Sequence, residues 1–172
     1  MKKLILPCFI AASLLVGGCG LRPLYANGGK GEVAAVLSGI DVSAIEGHRG
    51  WLVRNALNDR LHANQRGGGT SRYRLDVRLD DRIDGFGVRA DDAVTRERRT
   101  LRARYQLVDV TTGEVLLDAT AAQDAGIDVV GSEFSTIAAE STVLERLASN
   151  VADQIIARIA VYANRSAGQT PA

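Results

Sequence analysis

The sequence contains little of the side-chain chemistry that most enzymes and metal sites require. Its 172 residues include only two cysteines and two histidines. Cys8 lies inside an apolar N-terminal segment and Cys19 at its end, so we expect the mature chain to keep no free thiol, which excludes disulfides, thiolate metal sites and cysteine nucleophiles. His48 and His62 are the only imidazoles. No nucleophile elbow, phosphate-binding loop or metal-ligand helix motif occurs, and we predict no catalytic residue, no metal and no cofactor.

The chain also lacks an apolar run long enough to cross a membrane. The segment LILPCFIAASLLV has about 13 residues, whereas a spanning helix needs roughly 20. Two lysines precede it and Gly17-Gly18 follow it, an arrangement typical of a secretory signal. Val16-Gly17-Gly18-Cys19 resembles a bacterial lipobox, which predicts a signal peptide over 1–18 and lipidation of Cys19. The alternatives are an ordinary signal with a chance cysteine, or an uncleaved anchor.

Lipidation would hold the protein at a membrane surface. Two or three acyl chains give durable attachment, because each buried methylene contributes about 0.8 kcal/mol. Gly20 would be the second mature residue. Since many lipoproteins retained at the inner membrane have aspartate there, we expect this chain on the periplasmic side of the outer membrane. Residues 19–34 then form a lipidated, flexible tether.

No excess of charge selects a polyanionic partner. Removal of the signal takes away Lys2 and Lys3 alone among the charged residues, which changes the net charge from +1 to −1. A nearly neutral chain gives no electrostatic reason to expect nucleic-acid binding. The remaining length of about 150 residues suits one domain with its own core.

Hydrophobic periodicity predicts six elements in the order β-α-β-β-β-α. Alternating apolar residues indicate strands in 36–45 and, more clearly, around 73–79, 101–107 and 115–121. Apolar residues spaced by three or four predict amphipathic helices over 50–63 and 135–162. The expected fold is an α+β two-layer sandwich over 35–163, with two helices on one face of a four-stranded mixed or antiparallel sheet. Residues 164–172 are expected to be a disordered tail, and the second face of the sheet is left uncovered.

Four segments in this order resemble the LPS-assembly lipoprotein family, LptE, in its alphaproteobacterial form. They are CGLRPLY, LVRNALNDRL, RRTLRARYQLVDVTTGEVL and AAESTVLERLASNVADQIIARI, and together they span most of 19–163. The resemblance implies an outer-membrane subunit of the lipopolysaccharide translocon that plugs the LptD β-barrel and assists its assembly, with lipopolysaccharide as a further candidate ligand. The alternative is a periplasm-facing lipoprotein that serves another envelope lipid-transport system.

Arginines dominate the uncovered face of the predicted sheet. From Thr95 to Arg104 the chain carries five arginines and one glutamate, a local charge of +4. Arginine can bind a phosphate through two parallel hydrogen bonds, and the family resemblance implies contact at the β-hairpin end. The alternative is neutralisation by Asp76, Asp80 and Asp118 across the strands. The candidate contacts with lipopolysaccharide or the barrel, of which we favour the first two, are Arg89, Arg96, Arg98, Arg102 and Arg104.

Overall fold

The computed structural model describes residues 32–62, 71–88, 94–129 and 132–168. Cys19, the signal peptide, most of the predicted tether and Arg89 lie outside these ranges. The elements in chain order are α1 (Glu32–Ser38), β1 (Ile40–Val42), α2 (Gly47–His62), β2 (Tyr73–Val88), β3 (Val94–Asp109), β4 (Val115–Asp128) and α3 (Glu133–Gly168).

The four strands form one mixed sheet in the order β1-β2-β3-β4. Strand β1 runs parallel to β2, starting at the pair Ile40 and Tyr73, and the other neighbours are antiparallel. A crossover through α2 is what a parallel β1–β2 pair requires, whereas short turns suffice for the antiparallel meander β2-β3-β4. The predicted α+β two-layer sandwich is confirmed.

The core lies between one face of the sheet and the two longer helices. Strand alternation sends the odd-numbered residues of β2 and β3 inward, and the apolar stripe of α3 packs against them. Tyr105 is 2% exposed at the centre of this layer, and burial raises the pKa of its phenol. The largest side chains that are almost fully buried are Tyr105, Ile40, Leu57, Leu75, Leu101, Leu107, Leu147, Ile155 and Ile159.

The structure adds a helix that the periodicity did not predict. Residues 36–38, assigned to the first strand by their alternation, belong to α1, and β1 itself has only three residues. Val33 and Leu37 are one helical turn apart and both pack on the core, a spacing too short to stand out in the sequence. Helix α1 also begins at Glu32, inside the predicted tether, and α3 continues through Gly168, beyond the predicted helix end.

Two contacts fix α2 against the rest of the domain. Gly50 lies so close to the preceding chain that a β-carbon there would collide with the carbonyl oxygen of Ile45. Further along, the Arg60 guanidinium donates to the Ser149 hydroxyl at 2.8 Å and to the Asp153 carboxylate at 3.0 Å, both on α3. The hydrogen bond from Arg60 lowers the pKa of Asp153. The two helices therefore form a single layer over the sheet.

Candidate functional surface

The even-numbered residues of β2, β3 and β4 form the sheet surface that points away from the helices, which we call the open face. Their odd-numbered neighbours, such as Leu75, Leu101 and Ala121, are buried on the helix side. Between 74 and 84 on β2, 96 and 104 on β3, and 118 and 128 on β4, the even positions hold seven arginines and six aspartates. The open face is therefore almost neutral in sum.

Ion pairs join ten of these thirteen charged residues, in three pairs between β3 and β4 and two pairs along β2. The even positions of β3 carry arginine but no carboxylate, whereas those of β4 carry aspartate but no arginine, and the antiparallel register lays these rows side by side. Each such pair of opposite charges on neighbouring strands contributes about 0.2–1 kcal/mol to the stability of the sheet. The ion pairs on the open face are Arg74–Asp76, Arg82–Asp80, Arg96–Asp128, Arg98–Asp124 and Arg104–Asp118.

Of the two favoured hairpin-end arginines, the structure describes Arg96 alone. Its Nε atom lies 2.9 Å from a carboxylate oxygen of Asp128, and both side chains are well exposed. Arg96 is therefore already paired with a carboxylate, because β4 extends far enough to supply Asp128. Arg98 lies 3.8 Å from Asp124, and its guanidinium sits over the ring of Phe86 at 5.5 Å. Arg89 stays a prediction.

At the centre of the open face, some arginines form an ion pair and others do not. Arg104 donates to Asp118, which lowers the pKa of that carboxyl, and Gln106 donates to the same group at 2.8 Å. Within the described ranges, neither Arg78 nor Arg102 forms an ion pair. Arg78, which was not among the candidate contacts, faces Arg104 directly across the β2–β3 register.

One arginine of the predicted +4 stretch does not belong to the open face. Arg99 is odd-numbered and points inward, where it donates to both carboxylate oxygens of Asp81 at 3.0 and 2.7 Å. A third hydrogen bond reaches the Glu140 carbonyl of α3 at 3.0 Å. Arg99 therefore joins the hairpin to α3, and strand parity alone could have separated it from the other four.

Large apolar side chains are exposed at the hairpin end. Ile83 and Phe86 on β2 are each 41% exposed, while Phe134 and Ile137 on the first turns of α3 are 82% and 58% exposed. Ile83 is the cross-strand partner of Arg99, whose contact with α3 brings these turns to the same end of the sheet. We call these four residues the apolar end. Strand parity puts Phe86 on the open face and Ile83 on the helix side, so these residues share one end of the sheet and are candidates for contact with a partner.

The described residues contain no grouping of three or more histidine, cysteine or acidic side chains arranged to hold a metal ion. Among the helices of the same ranges, none combines the length and apolar character of a membrane span. What the geometry presents is a two-layer domain with a charged, open sheet face and an apolar end. These are features of a binding or assembly protein.

Comparison with known families supports the assignment to binding or assembly proteins and identifies the family. The family model described as lipopolysaccharide-assembly, LptE, matches residues 37–159, which include all of the sheet and most of the helical layer. The chain belongs to the LptE family of lipopolysaccharide-assembly lipoproteins. No curated protein sequence matches it significantly.

Solved structures of lipoproteins share the fold. A candidate lipoprotein from Caulobacter crescentus is 27% identical, with a TM-score of 0.64, and the match covers 83% of this chain and 100% of that one. A minor lipoprotein from Acinetobacter baumannii is 18% identical, with a TM-score of 0.55 and coverage of 73% and 90%. Lipoprotein B from Nitrosomonas europaea is 12% identical, with a TM-score of 0.53 and coverage of 73% and 82%. At these lower identities the last two show the fold alone.

Proposed function

We propose that this protein is a lipid-anchored outer-membrane subunit of the lipopolysaccharide translocon, which plugs an LptD-like β-barrel and assists its assembly. The observation that carries the proposal is the LptE family match over 37–159. Cys19 would attach the domain to the inner leaflet of the outer membrane, where the periplasmic mouth of a barrel lies. The protein has no catalytic role in this proposal, since its contribution is contact and positioning.

The apolar end supplies a contact surface of the kind such a partner needs. Phe134 and Ile137 lie on adjacent turns of α3, and both are mostly exposed. Burying such side chains against a partner contributes about 1.5–3 kcal/mol each, which is enough for a few residues to dominate an interface. The open face beside them is polar and nearly neutral, as the rim of an interface usually is.

Crosslinking in intact cells, followed by purification and identification of the partners, tests the proposal. We expect one outer-membrane β-barrel protein in near-equal amount. The double variant Phe134→Asp, Ile137→Asp should reduce recovery of the barrel at least tenfold, because two charges would be buried against it. Val110→Asp is the matched control, since Val110 is 52% exposed in the turn at the opposite end of β3.

Recovery of inner-membrane transport components without any barrel would contradict the proposal and favour the alternative of another envelope lipid-transport system. If the double variant recovers the barrel at normal levels, the contact with the barrel does not involve the apolar end. The thermal unfolding of each variant should match the parent protein, because all three positions are exposed.

A further inference from the structure

A groove opens on the open face where β1 ends. The last hydrogen bond of that edge runs from the Ser43 amide to the Leu75 carbonyl, at 3.1 Å, and β2 continues for thirteen residues past this point without a β1 partner. The groove has a volume of about 510 Å³. Its polar lining consists of Ser43, Asp76, Arg78, Arg104 and Gln106.

The carboxylates in and around this groove already have cationic partners. Asp76 accepts one bifurcated hydrogen bond from Arg74 Nε, with 3.1 Å to each carboxylate oxygen, and one hydrogen bond of 2.6 Å from the Ser43 hydroxyl. Asp118, at the far side of Arg104, accepts from Arg104 and Gln106. Because these negative charges are compensated, they oppose an incoming anion only weakly.

Two arginines in the groove face each other directly. Arg78 and Arg104 are register partners across β2 and β3, which puts their β-carbons about 4.5–5.5 Å apart. Like charges in this relation destabilise a sheet. Arg78 has no ion pair within the described ranges, whereas its diagonal neighbour Arg102 faces Asp80 directly across the register. The groove therefore has an uncompensated positive charge at its centre.

We propose that this groove binds a phosphate dianion through the guanidinium groups of Arg78 and Arg104. Arg78 can donate two parallel hydrogen bonds, and Arg104, whose Nε and Nη2 atoms donate to Asp118, still has the hydrogens of Nη1 for an anion. A dianion between them relieves the repulsion that the register imposes. The phosphate is either free in solution or the headgroup of a lipid. This site lies away from the hairpin end, and its existence does not depend on a barrel partner.

The test uses the full chain in neutral detergent, with ¹⁵N-labelled arginine, and follows the Nε–H resonances by NMR. Sodium phosphate is added at constant, low ionic strength, with chloride as the balancing ion. Exposed arginines bind weakly, so we expect a saturable shift of the Arg78 and Arg104 signals with a Kd on the order of 1 mM. Arg78→Gln should weaken binding about tenfold, whereas Arg146→Gln, an exposed arginine of α3, should not change it.

A second titration separates the two sources of phosphate. Micelles doped with phosphatidic acid are compared with inorganic phosphate at the same phosphate concentration. Tighter, Arg78-dependent binding to the doped micelles identifies a lipid headgroup, and tighter binding of inorganic phosphate identifies a free anion. The absence of a saturable shift with both probes overturns the proposal, as does an Arg78→Gln titration identical to that of the parent protein. Barrel recovery in the crosslinking experiment is measured separately and does not affect either result.

Discussion

Asp109 organises the β3–β4 turn through its side chain. Its carboxylate accepts the backbone amides of Thr111 and Thr112, at 2.8 and 3.3 Å, while Gly113 takes a left-handed conformation with φ of 74°. The amide hydrogen bond from Thr111, reinforced by Thr112 and Arg72, lowers the pKa of Asp109. Both amides donate to Oδ1, while Arg72 donates to Oδ2, so the ionised carboxylate is the form that accepts from all three.

We predict that Asp109 contributes to stability at neutral pH and that this contribution disappears in acid. Because its folded pKa lies below the unfolded value of about 4, the stabilisation is complete above that pH and is lost as the pH falls through the folded pKa. Asp109→Asn keeps the acceptor oxygen but removes the charge. Urea unfolding at pH 7 and pH 3 should show a deficit that is present at the first pH and shrinks at the second.

Asp41→Asn serves as the comparison for Asp109, since Asp41 is exposed and forms no ion pair in the part of the chain that the structure describes. An Asp109→Asn deficit that stays constant between the two pH values would show that the turn does not depend on ionisation.

Gly50 is required by a close approach of two backbone segments. A β-carbon at this position would collide with the carbonyl oxygen of Ile45, which cannot move without displacing the chain that leads into α2. We expect Gly50→Ala to lower the free energy of unfolding by about 1–3 kcal/mol, as overpacking usually does. Gly126→Ala is the control, because a β-carbon there comes no closer than 3.9 Å to Glu97. Equal free energies of unfolding for the two variants would show that a β-carbon at position 50 does not collide with the chain.

At the scale of the elements, α3 is the helix on which the core depends. Val151, Ile155 and Ile159 repeat every four residues along one side, and each is fully buried against the sheet. Ile155→Ala should reduce the free energy of unfolding by about 2–5 kcal/mol, through lost burial and the cavity left behind. Ile137→Ala on the same helix should stay within about 0.5 kcal/mol, since Ile137 is 58% exposed. Chemical denaturation of both proteins measures the difference, and similar losses would argue against this packing.

The strands show why faces are easier to predict than partners. Alternation along 73–79 and 101–107 identified which residues are buried, and Leu75, Leu101 and Leu107 are among the most buried in the core. The same alternation gave no information on which aspartate would lie beside which arginine, because a slip by two residues preserves the faces but changes every pair. For α1 the element type itself was missed, and β1 was predicted as a strand but too long, since segments of seven and three residues contain too little of any period.

For the whole molecule, the lipid anchor is the feature that would determine where the domain acts. We predict that Cys19 is the acylated residue, because it follows a short apolar segment and two glycines. A metabolic fatty-acid probe should label the parent protein and fail to label Cys19→Ala. Label that persists on the variant would refute the assignment, and absence of label on both proteins would indicate a secreted protein without an anchor.

Contact between the hairpin-end arginines and lipopolysaccharide also remains a prediction. Reversing the charge of both Arg89 and Arg96 should weaken lipopolysaccharide binding and leave the folded fraction intact, because exposed substitutions usually shift stability by less than about 0.5 kcal/mol. The double variant Arg146→Glu, Arg165→Glu, at two exposed positions of α3, controls for the same change in net charge. Normal binding and normal barrel assembly by the double variant would leave the hairpin end as a solvated, internally paired edge.

The amino-acid sequence by itself determined the number of long elements, the sandwich class and the side of each strand that faces the core. These properties follow from the period of apolar residues, which is local. Only the tertiary structure decided the charge of the open face, because neutralisation of Arg96 by Asp128 joins residues 32 positions apart. It likewise brought Arg78 opposite Arg104 and turned Arg99 inward to Asp81. Cross-strand register is set by packing and turns across the whole sheet, and no local pattern encodes it.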